Sequence, residues 1–253
     1  MTSKIEDKKD PFSYFFLSML VRAVIAAFFS KIEVRGAEHL PKSGAFICVA
    51  NHTSRWDGPV LGTLIGRPST FMVHPNELKG LQGKLLRKVG AFPANPKLDF
   101  AGFVSERFRK DEPFVIFPEG NVFYDGQTHP FKKGVARVAM TAAKDDLDVP
   151  VVPLAVGYQW TKRRIVISVG APISVMHYRQ DYESDPVATT NHLCSALHRE
   201  VLALRAELGF EADRKQLLST SVKSGFHFLP GSMKDSVRNS MQANHGLSLS
   251  QVR

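Results

Sequence analysis

Ala45-Phe46-Ile47-Cys48-Val49-Ala50-Asn51-His52-Thr53-Ser54-Arg55-Trp56-Asp57-Gly58 is the stretch whose reading sets the fold class. Its first half is apolar and uncharged, with β-branched Ile47 and Val49, and reads as a buried strand. The strand runs directly into a polar loop, and loops at the ends of buried strands are where functional side chains concentrate. Further runs rich in Val, Ile or Phe, each bounded by Gly, Pro or polar turns, predict strands at 32–35, 70–74, 114–117, 149–156 and 164–169. Helical segments fall between them. The clearest opens at Asp185-Pro186, an N-cap followed by proline at the first helical position. Leu193, Leu197, Val201, Leu204 and Leu208 trace one face of it, and it ends near Gly209. The alternation predicts an α/β fold: a mostly buried mixed β-sheet flanked by helices.

The rest of the chain organises around this domain, predicted to occupy 31–218. Residues 11–30 form the longest apolar run, interrupted by Arg22 near its middle. A spanning helix wants about 20 apolar residues with few charges, so residues 1–30 are predicted to form a helix in the membrane interface. The same residues also suit a buried helix of a soluble domain. No small-residue cleavage site follows, so the run is not read as a signal peptide. Residues 219–253 are crowded with Ser, Asn and Gly and read as a polar, loosely ordered tail, with Phe226, Phe228 and Leu229 its one apolar cluster.

Composition bounds the partners. With 253 residues, 43% of them hydrophobic, the chain is ordinary globular protein. The two cysteines, Cys48 and Cys194, lie far apart in apolar surroundings and suit reduced thiols in a cytoplasmic compartment. The formal charge of +9 implies an anionic partner: nucleic acid, an acidic membrane or a phosphorylated substrate. Aromatics concentrate in the apolar runs rather than interleaving with basic residues, which disfavours nucleic acid. No Gly-x-Ser-x-Gly elbow supports a serine hydrolase, and His74, His129 and His177 lack ligand partners at metal spacing, so no metal is indicated. Nothing in the sequence sets an oligomeric state.

Two constellations can carry chemistry. His52 is followed five residues on by Asp57, and one helical turn can return that carboxylate to the imidazole, fixing its tautomer and stabilising the imidazolium of a general base. The spacing alone is common. The second constellation, Phe117-Pro118-Glu119-Gly120-Asn121, also follows a buried strand, with Pro and Gly setting a turn that presents Glu119 and backbone amides. Glu119 by itself reads equally as a carboxylate capping a helix.

In this order the segments resemble the 1-acylglycerol-3-phosphate O-acyltransferase (lysophosphatidate acyltransferase) family and its wider glycerolipid acyltransferase relatives, over residues 32–174. Asn51-His52 through Asp57 matches the first block. Residues 71–93, with Glu77-Leu78 and Gly90-Ala91-Phe92-Pro93, match a degenerate second. Phe117-Pro118-Glu119-Gly120, followed by Phe131-Lys132-Lys133-Gly134, matches the third, and Val149-Pro150-Val151-Val152-Pro153-Leu154 the fourth.

The resemblance implies a membrane-associated enzyme of phospholipid biosynthesis at the cytoplasmic face. An acyl group would pass from acyl-CoA or acyl carrier protein, the donor substrate, to the free hydroxyl of 1-acylglycerol 3-phosphate, with no cofactor. His52 would be the base, Asp57 its support, and Glu119 and Gly120 would position the acceptor. Two positions depart from the family pattern: the Thr-Arg-Ser that usually follows Glu-Gly is replaced by Asn121-Val122-Phe123, so the arginine is missing, and Lys97 is the nearest cation after the second block. Lys97, Lys132 and Lys133, the last two at a predicted helix start, are the candidate anion partners, with Asn121 beside them. The missing arginine leaves open an acyltransferase or transacylase for another lysolipid, or a non-catalytic lipid-binding member of the fold. The eight lysines and arginines between Lys79 and Lys110 are expected to form one membrane-facing basic surface.

Overall fold

The computed structural model describes residues 5–210; the predicted tail and the last residues of the predicted domain lie outside the described residues. Among the described residues seven strands form one sheet: β1 (Lys31–Arg35), β2 (Ile47–Ala50), β3 (Thr70–Val73), β4 (Ala91–Pro93), β5 (Phe114–Ile116), β6 (Val151–Gln159) and β7 (Arg164–Val169), in the order β1-β7-β6-β2-β5-β3-β4. All neighbours run parallel except β6 and β7, which form an antiparallel hairpin, so the sheet is mixed. The predicted strands are present with ends moved by up to three residues. β4, only three residues long, gives no periodic signal by itself and is a strand because β3 pairs with it.

Alternation of side chains gives the domain two cores. Ile47 and Val49 of β2 join Phe114, Ile116 and Val151 in a layer covered by α4 (Phe100–Phe108), α5 (Gly134–Lys144) and the first half of α7 (Pro186–Glu207). Phe46, Cys48 and Ala50 face the other way, with Val152, Leu154, Val156, Ile165 and Ile167, beneath α1 (Pro11–Phe28) and α2 (Asp57–Ile65). Both cysteines are free and buried, and burial pushes their thiols up. Pro153 is tolerated inside β6 because Val151 exchanges both backbone bonds with Ile173, whereas Pro153 has only to accept one from Gly170. The Asp185 N-cap of α7 accepts from Val187 N and Ala188 N, as its sequence predicts.

The N-terminal helix is neither free nor engulfed. Its N-cap, Asp10, accepts from Ser13 N. Its inner stripe, ending in Ile25 and Phe29, belongs to the core beneath the sheet. Phe12, Phe15, Phe16, Met19 and Leu20 face outward, beside Leu81 and Leu85 of α3 (Gly80–Lys88), a helix that α1 touches. Among the described residues α1 is the one helix long and apolar enough to cross a bilayer. The expected single basic surface is corrected: Arg107 is buried against Asp7 and Phe103, and Arg109 pairs with Asp145. Lys79, the N-cap of α3, and Lys84 and Lys88 within it are exposed on the helix that carries Leu81 and Leu85.

Candidate active site

The parallel strands β2, β5, β3, β4 and β6 all point their carboxyl ends to one edge, and the segments leaving β2 and β5 meet there. The β2–β6 register ends at Ala50 opposite Leu154. Asn51 extends it with its side chain: Nδ2 donates to Val156 O (2.9 Å) and Oδ1 accepts from Val156 N (2.8 Å). A side-chain amide thus replaces the next backbone pair, and the chain can leave the sheet at His52 without orphaning the strand.

Asp57 is the first residue of α2 and fully buried. Its Oδ2 accepts from Thr53 N (2.9 Å), Ser54 N (2.9 Å) and His52 Nδ1 (2.8 Å), and its Oδ1 accepts from Tyr158 Oη (2.6 Å). Four donors and the helix N-terminus compensate the burial of this carboxylate. Because Asp57 can only accept, Nδ1 carries the imidazole proton and the lone pair is left on Nε2. Among the described residues nothing bonds Nε2, and the His52 side chain is 19% exposed. Its ring stacks on Phe117 at 4.1 Å between centroids and 14° between planes, which fixes the direction in which Nε2 points.

Glu119 is brought to His52 but turned to the backbone: Oε1 accepts the amide of His52 (2.8 Å) and Oε2 that of His129 (3.3 Å). Burial raises its carboxyl to about 7, against the pull of those two amides and of the His129 and Arg205 charges. Gly120 has φ +72°, a left-handed turn, and a Cβ there would lie 2.5 Å from Lys132 Nζ. The Lys132 side chain therefore lies directly over the Glu119-Gly120 turn, while its amide donates to Pro118 O (2.8 Å). Asn121 is exposed on the same loop. Lys133 is exposed as the N-cap residue of α5, and Lys97 is exposed after β4 with its amide on Asn95 Oδ1; neither side chain is bonded to the His52 loop.

Several participants escape sequence reasoning. Tyr158 and Arg205, whose guanidinium donates to Val156 O (2.8 Å) and Gly126 O (3.0 Å), reach the site only through strand register and helix packing, and the stacking of Phe117 on His52 likewise depends on β2 and β5 being neighbours. A second pair, His129 Nε2 to Asp125 Oδ2 (2.8 Å), stiffens the 120–130 loop, with Phe123 stacked on His129 and Phe123 N donating to His52 O. The adjacency of Asn51 to His52 is the one signal that was legible. Among the described residues no group of three or more His, Cys, Asp or Glu is placed to hold a metal ion.

A base with its lone pair free, backed by a buried carboxylate at the carboxyl edge of a mixed sheet, is equipment for deprotonating a bound hydroxyl. The chain belongs to the acyltransferase family: the family model described as Acyltransferase matches residues 31–157, which contain His52, Asp57 and Glu119 but neither Tyr158 nor Arg205. Among similar proteins, 1-acyl-sn-glycerol-3-phosphate acyltransferase alpha of Homo sapiens is 31% identical over 133 residues, 49% of this chain and 44% of that protein. Lyso-glycine lipid O-acyltransferase of Bacteroides thetaiotaomicron is 29% identical over 126 residues, 46% of this chain and 43% of that protein. The match thus spans less than half the length of these curated relatives. The crystal structure of the 1-acyl-sn-glycerophosphate (LPA) acyltransferase PlsC from Thermotoga maritima superposes with a TM-score of 0.59 at 21% identity, covering 79% of this chain and 80% of that one, and shows a shared fold.

Proposed function

We propose that this protein is an O-acyltransferase that moves a fatty acyl group from a thioester donor to the free hydroxyl of a lysolipid, with 1-acylglycerol 3-phosphate as the first acceptor, giving phosphatidate. The observation that carries the reading is the 2.8 Å contact of His52 Nδ1 with fully buried Asp57, which leaves Nε2 unbonded at the sheet edge. Nε2 takes the hydroxyl proton as the acceptor oxygen attacks the thioester carbonyl. The tetrahedral intermediate collapses with expulsion of the thiolate, which regains the proton from the imidazolium. No acyl-enzyme is needed. Asp57 stabilises the imidazolium that forms between the two steps.

The donor is acyl-CoA or acyl carrier protein, and Lys132, with its Nζ over the Glu119-Gly120 turn, is the cation best placed to meet an acceptor phosphate. The outward face of α1 with the cations of α3 seats the enzyme on the cytoplasmic face of a membrane, which supplies the acceptor. The stretch Asn121-Val122-Phe123, which lacks the arginine of the family pattern, favours a second reading in which the acceptor is another lysolipid; the similarity to a lyso-glycine lipid O-acyltransferase supports it. One experiment tests both. Purified protein is incubated with labelled acyl-CoA or acyl carrier protein and a panel of lysolipids, and the products are identified by mass spectrometry. Phosphatidate as the main product supports the first reading. Transfer mainly to a different lysolipid supports the second, and no transfer to any acceptor overturns both.

A further inference from the structure

Acyl transfer as described uses one oxygen of Asp57, yet the other is also held, by a donor from the far end of β6. Tyr158 lies two residues beyond Val156, where Asn51 clips the loop to the sheet, and its hydroxyl donates to Asp57 Oδ1 at 2.6 Å. We propose that Tyr158 is a positioning residue for acyl transfer, its hydroxyl setting the orientation and charge of the Asp57 carboxylate that supports His52. The proposal rests on the O-acyltransferase reading only for its kinetic consequence; the effect on His52 itself does not need turnover.

The ring of Tyr158 is built in. It stacks on Trp160 at 4.8 Å and 10°, and Phe29, from the end of α1, lies 5.9 Å from both rings. Phe28 and Phe29 in turn flank Trp56, the residue before Asp57, each at 5.3 Å. The turn after β6 is tied to α1, since the Arg163 guanidinium donates to Ala27 O and Phe28 O and the Ser30 hydroxyl to Lys162 O. The hydroxyl therefore meets Oδ1 from a direction fixed by three segments of the chain. Burial and the neighbouring carboxylate push the Tyr158 phenol far up, so it remains a donor throughout the range in which an enzyme works.

A hydrogen bond to a carboxylate disperses part of its charge. Removing it leaves Asp57 a stronger partner for the imidazolium, so His52 holds its proton to higher pH and less of the free base is present. The other titratable and charged groups around the pair come from separate elements. Glu119 and His129 lie on the loop after β5, Arg205 reaches Val156 from α7, and Arg55 pairs with Glu77 at the loop surface. None of them touches Oδ1.

The test compares wild type with Tyr158→Phe, which keeps the ring and its stacking, and with 3-fluorotyrosine at 158, a stronger donor. Tyr158→Phe should lower kcat about tenfold with donor and acceptor KM little changed, and move the acidic limb of kcat/KM to higher pH by about one pH unit. Fluorotyrosine should move the limb the other way. The His52 imidazole, titrated by NMR in the folded protein, should shift in the same two directions whether or not any acyl acceptor is turned over. Unchanged His52 titration in both proteins, or a loss of kcat with an unmoved limb, overturns the proposal. An inactive wild type would instead count against the acyltransferase reading and leave the NMR comparison to decide the role of Tyr158.

Discussion

The backbone amide of His52 donates to the buried carboxylate of Glu119, 2.8 Å away across 67 positions of sequence. This bond joins the loop after β2 to the loop after β5, and the second oxygen of Glu119 holds the amide of His129 in the same way. Glu119 therefore acts on the base through the backbone, by fixing where the imidazole begins.

Its burial has a consequence for stability. The carboxyl titrates at about 7 in the folded protein and at its ordinary 4.5 when unfolded, so between those values only the folded chain holds the proton. The associated stability is present below 4.5 and is lost as pH rises through about 7, and amounts in full to about 3 kcal/mol. Glu119→Gln cannot titrate. Urea denaturation between about pH 5 and pH 8 should show wild type losing stability with rising pH relative to the variant. Parallel curves would mean that Glu119 does not titrate in this window.

His52→Ala should lower acyl transfer by about 10²- to 10⁴-fold, the usual cost of losing a general base, while the melting temperature stays close to wild type. Asp57→Asn should also lower turnover, and in addition should destabilise the fold by about 1–3 kcal/mol. Its amide group would face N–H and O–H donors that now all point at carboxylate oxygens. Activity assays beside thermal melts separate the two effects; an Asp57→Asn protein as stable as wild type would contradict the hydrogen-bond geometry.

Among the candidate cations, position ranks the lysines. Lys132→Ala should raise the KM for 1-acylglycerol 3-phosphate about tenfold or more, since one charge-assisted contact is worth about 1.5–3 kcal/mol. Lys133→Ala and Lys97→Ala should have smaller effects, because only Lys132 packs on the Glu119-Gly120 turn. Donor KM should be unaffected in all three. Equal acceptor kinetics for Lys132→Ala and wild type would remove this lysine from headgroup recognition.

For the membrane, the outer face of α1 can be altered without touching the core. Replacing Phe12, Phe15 and Phe16 together by Ser should release the protein from anionic vesicles in sedimentation while leaving the melting temperature near wild type. Deleting residues 1–30 is a different experiment, because it strips Ile25 and Phe29 from the core and should lower stability by about 2–5 kcal/mol for each. Undiminished vesicle binding by the triple variant would place the anchor elsewhere.

The alternation of strands and helices, the capped helix at Asp185, and the two blocks around His52 and Glu119 as places for chemistry are legible in the order of residues alone. These are local signals: periodicity, turn residues and short spacings act within a few residues and need no knowledge of the fold. The His52–Asp57 contact belongs here too, since one turn of chain suffices to close it. What surrounds that pair depends on how the elements pack. Tyr158 reaches Asp57 across 101 positions because β6 pairs with β2 in one register, and a shift by one residue would turn it to the other face. The same is true of Arg107, charged in sequence and expected at the surface, but buried because Asp7 and Phe103 come to it. Pairing register and packing are set by the whole chain at once, so no window of sequence contains them.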